Sequence, residues 1–106
     1  MPEDSTRRID RSLPIDVEPY QRTKEFTEAT IPAGLLREHS TKKGTWGRIC
    51  VLEGKLSYEI LGPVVETRVL SPGDDGVVEP EILHQVRPLG AVRFFVEFLK
   101  KPSAKR

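Results

Sequence analysis

The chain is 106 residues long with a single cysteine, and its 17 Lys and Arg against 16 Asp and Glu leave a formal net charge of +1. That length suits one domain with its own core. The near-neutral balance lacks the electrostatic footprint of a nucleic-acid binder, and the lone Cys50 excludes both an internal disulfide and a Cys-rich structural zinc site.

No apolar run is long enough to span a membrane and no signal-peptide core is present, so the expected location is cytoplasmic, with no membrane partner. Residues 1–16, MPEDSTRRIDRSLPID, mix both signs of charge with little apolar content, and read as a disordered or loosely held leader. A single domain is expected over residues 17–100, with residues 101–106 a basic, solvated tail. Pro19–Arg22 fits a strand, and the hydroxyl of Thr23 could cap a short helical turn after it.

From Pro32 the signals sharpen. Gly34–His39 reads as a strand ending in the polar turn Ser40–Gly44. Trp46–Glu53, rich in β-branched residues and bounded by Gly44 and Gly54, reads as the central strand, with Cys50 a buried thiol inside it. Glu53-Gly54-Lys55 then reads as a tight turn into the alternating strand Leu56–Leu61. Glu66–Leu70 and Gly76–Pro80 follow as short strands separated by Ser71-Pro72-Gly73-Asp74. About seven short strands, closely spaced turn signals and almost no helical periodicity predict an all-β sandwich or small barrel.

The last stretch, His84–Leu99, reads as one hairpin with Gly90-Ala91 in a type II′ turn. That register sets His84 opposite Glu97 and Val86 opposite Phe95; a three-residue turn would instead bring His84 opposite Val96. Phe94, Val96 and Phe98 fall on the face opposite Phe95 and Glu97 and are equally apolar. A strand apolar on both faces calls for a second layer, from the leader segment or from another subunit, and a homodimer is expected.

Only two histidines are present, His39 and His84, each beside a turn. Two imidazoles and one carboxylate form the ligand set of non-haem iron and of catalytic zinc sites. The plainer alternatives are two polar rim histidines and a cross-strand ion pair. No nucleophile-elbow, phosphate-loop or dinucleotide-binding fingerprint is present, and Gly73-Asp74-Asp75-Gly76 reads as a turn.

The segments LREHSTKKGTWGRICVLEGKLSYEI and VVEPEILHQVRPLGAVRFFVEF resemble the small domain of the TehB/YeaR-like family, of the cupin superfamily and named for bacterial tellurite resistance. The likeness covers roughly Tyr20–Leu99. It implies a cupin-like double-stranded β-helix, two antiparallel sheets forming a barrel around a pocket. By that resemblance His39 lies near the first histidine of the first cupin motif and His84 matches the histidine of the second. Thr41 and Gly47 depart from the usual second histidine and glutamate, and Glu97 would replace the missing carboxylate. The expectation is then a small protein binding a divalent metal (Zn, Fe, Ni or Mn) through His39, His84 and Glu97. Its pocket would be lined by Phe95, Val86, Leu36 and Ile49, and would take a small anion or metabolite, with a link to tellurite or oxyanion stress inherited from the family name. A metal-free ligand-binding or sensing module, or an accessory interaction domain, are the competing expectations. Nothing in the sequence resembles the methyltransferase domain that accompanies this domain in some family members.

Overall fold

The computed structural model describes residues 13–102. The first twelve residues of the expected leader and residues 103–106 of the expected tail lie outside the described residues. What is described is all-β apart from one 3₁₀ turn at Ala33–Leu36, where a strand was expected.

Six strands form the sheet: β1 (Glu18–Arg22), β2 (Phe26–Thr27), β3 (Trp46–Ile60), β4 (Glu66–Leu70), β5 (Gly76–Val78) and β6 (His84–Lys100). The strand expected at Pro19–Arg22 is present as β1, whereas the helical turn after Thr23 is replaced by β2. The path runs β1-β6-β3-β4, with β2 added to β6 and β5 to β3, and every pairing is antiparallel.

Two expected turns are absent. Gly54 lies inside β3 and Gly90 inside β6, and the two long strands pair from Trp46 opposite Leu99 to Ile60 opposite His84. Both glycines have positive φ, +80° and +89°, where a side chain would be strained. The ladder shifts register between Val51 and Glu53 and again between Gly54 and Leu56. A positive-φ glycine suits a bulge as well as a hairpin turn, and here the bulge forms because each strand finds its partner far along the chain. The bulge also changes parity: Ile49 and Val51 face the core before it, and Leu56, Tyr58 and Ile60 after it.

The bend folds the sheet over its own apolar face. Tyr58, beyond the bend, donates its hydroxyl to the carbonyl of Val77, which pairs with Arg48 ahead of the bend (2.9 Å). Gly76 sits so close to this layer that a Cβ there would meet Leu70 Cδ1 at 2.8 Å. The core between the halves holds Phe94, Leu56, Leu70 and Ile60, each at most 1 % exposed. The end strands β1 and β4 do not pair with each other, so the sheet stays open. The expected closed barrel is corrected to a folded-over open sheet.

That core also explains the second apolar face of β6. Phe94 and Val96 are buried within the chain against Phe26, Ile49 and Val78, and Phe98 packs at the margin. The surface that motivated a homodimer is thus interior. No helix among the described residues is long and apolar enough to cross a membrane.

Candidate functional site

The two sheet halves do not fill the space between them. A cavity of about 300 Å³ remains, walled by Phe26, Ile49, Val78, Val86, Phe94 and Val96. Of the four expected pocket residues, Val86 and Ile49 line it. Phe95 points to the other face and its neighbour Phe94 takes its place; Leu36 lines a second depression, and Leu35 reaches the cavity instead. Sequence reasoning missed Phe26 and Phe94. The alternation Phe94, Val96, Phe98 carried the information, but that face was expected to point outward, and the structure turns it inward.

Four polar side chains line the cavity: Thr23, Thr41, His39 and His84. The two hydroxyls are committed to backbone. Thr41 donates to the carbonyl of Thr45 (2.7 Å), and Thr23 donates to that of Lys24 (2.8 Å) while accepting from the N–H of Val96 (3.0 Å). No lysine, arginine or carboxylate lines it. An anion would meet no countercharge there.

Pairing brings the histidines together. The N–H of His84 donates to the carbonyl of His39 (2.8 Å), and that of His39 donates back (3.0 Å). The loop entering β6 is held by Glu81, at φ +66°, whose N–H donates to the carbonyl of Thr41 (3.0 Å). The rings stand edge to face with centroids 5.2 Å apart, and Tyr58 packs on His84 at 5.9 Å.

His84 is only 4 % exposed, and its Nδ1 lies 3.0 Å from the carbonyl oxygen of Ile82. A carbonyl only accepts, so Nδ1 carries the proton of the neutral ring. Burial holds the His84 pKa below its ordinary value; the neighbouring His39 adds to this and the bond to Ile82 opposes it. The unfolded chain therefore binds a proton at His84 before the folded chain does. Stability should be fully present above about pH 6.5 and should fall as pH drops from there through the depressed folded value. Urea unfolding from pH 8 to 5 checks this: His84→Phe should flatten that segment, and an unchanged slope would refute it.

Glu97 is elsewhere. It pairs with Arg48 across β3 and sits on the face opposite the cavity, where the Arg48 guanidinium donates to Oε1 and Arg22 stands 3.7 Å from Oε2. Arg22 also lies over the Phe95 ring at 4.3 Å. Cys50, on the same face, is half-buried, and desolvation pushes its thiol pKa up, so it is no activated nucleophile. The expected pairing of His84 with Glu97 is corrected: Ile60 faces His84, because β6 runs on as one strand. The structure unites His39 and His84 and separates Glu97 from them. Among the described residues no group of three or more His, Cys, Asp or Glu is placed to hold a metal ion.

Comparison with known proteins bears on the same point. The family model described as the TehB-like domain matches residues 21–96. The chain is 35% identical over 74 residues to the probable S-adenosyl-L-methionine-dependent methyltransferase TehB of Haemophilus influenzae, a match covering 66% of this chain and 26% of that protein. The crystal structure of TehB from Haemophilus influenzae aligns with TM-score 0.76 at 29% identity, covering 82% of this chain and 32% of that one. A protein from E. coli strain K12 shares the fold with TM-score 0.78 at 21% identity, covering 87% of this chain and 98% of that one.

The chain thus spans about a quarter of the length of the TehB relatives it matches. These findings overturn the expected metal-binding function and its divalent-metal cofactor. The relatives are named for S-adenosylmethionine-dependent methyl transfer, and the three expected ligands do not converge. With the folded-over sheet, the paired histidines and the family match over most of its length, the chain belongs to the TehB-like domain family.

Proposed function

We propose that this chain is a small-molecule-binding module acting alongside the methyl-transfer chemistry for which its relatives are named, with residues 17–100 as the working unit. It holds the molecule to be methylated, a small and mostly apolar compound, between the halves of its sheet. The observation that carries this reading is the cavity of about 300 Å³, apolar on nearly every side, with two imidazoles beside the two committed hydroxyls as its polar groups. Concave, mostly apolar sites with a few placed polar groups are the usual form of small-ligand pockets.

S-Adenosylmethionine itself does not fit this lining. It carries a sulfonium, an amino-acid head and a ribose diol, and carboxylates would be needed to meet the cationic groups and the diol. The lining offers none.

Toluene is a suitable probe of the cavity. On titration into the labelled chain, the methyl resonances of Val78, Val86 and Val96 should shift in a saturable way, while those of the exposed Val65 and Val69 stay put. Leu35→Trp, which enlarges a half-buried residue at the cavity margin, should weaken toluene binding about tenfold or more with little change in stability. Cavity methyls that do not respond at saturating toluene would refute the reading.

A further inference from the structure

The cavity contains one polar atom whose role is fixed by covalent and hydrogen-bond logic. With the proton of His84 held on Nδ1 by the Ile82 carbonyl, Nε2 is a bare lone pair. The ring lines the cavity, and a molecule that fills the cavity displaces the water standing against it. The hydroxyl protons nearest the cavity are spent on the carbonyls of Val77, Lys24 and Thr45. His39 meets His84 edge to face, without a hydrogen bond between the rings. Once that water is displaced, an acceptor left without a donor is costly, so a molecule that brings one gains more than the same molecule without it.

We infer that His84 Nε2 is a fixed acceptor that makes the cavity select neutral molecules with an X–H donor on a small apolar body, as in an alcohol, phenol or thiol. This rests on the ligand-binding reading above and sharpens it. Methylation replaces that hydrogen with a methyl group and releases it as a proton, so the product X–CH₃ has no donor left. The same atom that holds a methyl acceptor therefore disfavours its methylated product. Area burial alone predicts the reverse order, since the added methyl is apolar. The sign of the preference is thus diagnostic.

Phenol and anisole, which differ by that methyl group, test it on the full chain. Calorimetric or NMR titration should give phenol about fivefold or more the affinity of anisole. In His84→Phe, which keeps a planar ring but has no acceptor, the preference should vanish or invert. Equal binding, or tighter anisole, in the unaltered chain would overturn the acceptor role while leaving the pocket reading standing. Binding of neither probe would overturn both. A phenol preference that survives in His84→Phe would also overturn the inference. Should that variant fail to fold, the ¹⁵N resonance of Nε2 in the unaltered chain decides. It should appear as an unprotonated ring nitrogen and move with phenol but not with anisole; a protonated Nε2, or one indifferent to phenol, refutes the assignment.

Discussion

Gly54→Ala should destabilise the fold by at least about 3 kcal/mol, the largest effect expected of any single methyl added to this chain. A Cβ at this position would sit 2.0 Å from the carbonyl oxygen of Ala91 and 2.9 Å from Val92 Cα. Both obstacles are backbone of the paired strand, so no side-chain rotation relieves them. The positive φ of +80° adds the usual left-handed penalty for an L side chain. For a domain of this size about 3 kcal/mol corresponds to a loss of roughly 12–24 °C in Tm. Thermal unfolding followed by circular dichroism checks it. Gly90→Ala is the matched control: φ is +89°, but no atom lies within 4 Å of the added Cβ. It should cost only the backbone term, about 1 kcal/mol. Equal losses in the two variants would show that the close approach of β3 and β6 at the bend is not what makes Gly54 necessary.

Arg48→Met is expected to cost about 2 kcal/mol. The Glu97 side chain is 11% exposed, and Arg48 is its direct partner, with Arg22 at 3.7 Å a weaker one. Breaking a fully buried pair costs more, but Arg48 is 36% exposed and Arg22 remains, so the figure is reduced. The carboxylate is the reason for the loss, because it stays behind without its main donor. Adding Glu97→Leu to Arg48→Met should therefore recover most of the stability, since an apolar pair can replace a buried ion pair. Urea unfolding of the two single variants and the double variant gives the coupling. A double variant as unstable as the sum of the singles would mean that Arg48 and Glu97 act independently. The same double variant should bind toluene like the unaltered chain, because both residues lie on the face away from the cavity.

The TehB-like family was legible in the sequence, carried by the Trp-Gly-Arg, Val-Leu-Glu-Gly and Phe-Phe-Val-Glu-Phe elements between Trp46 and Phe98. Half of the candidate site was legible too, because His39 and His84 were the chain's only histidines and both stood at turns. The expected third member, Glu97, is not part of it. Glu97 looked like the partner of His84 because Gly90-Ala91 has the local chemistry of a hairpin turn, and a hairpin there would fold β6 back on itself.

What the sequence determined by itself is what short-range chemistry decides. β-Branched runs punctuated by Gly and Pro made the described residues almost wholly β, and the turn Ser71-Pro72-Gly73-Asp74 placed Glu66–Leu70 within its observed bounds. Tertiary structure decided which way each strand faces. A glycine at positive φ serves a tight turn or a bulge equally well, and only the pairing of β3 with β6 along their whole length selects the bulge. That choice changes the side-chain parity of β3 beyond Gly54 and keeps β6 straight on past Gly90. It sends Phe94 and Val96 into the core, turns Glu97 outward to Arg48, and sets His84 beside His39. Because side chains alternate every residue, running β6 on as one strand rather than folding it into a hairpin is enough to put Glu97 and His84, an odd number of residues apart, on opposite faces.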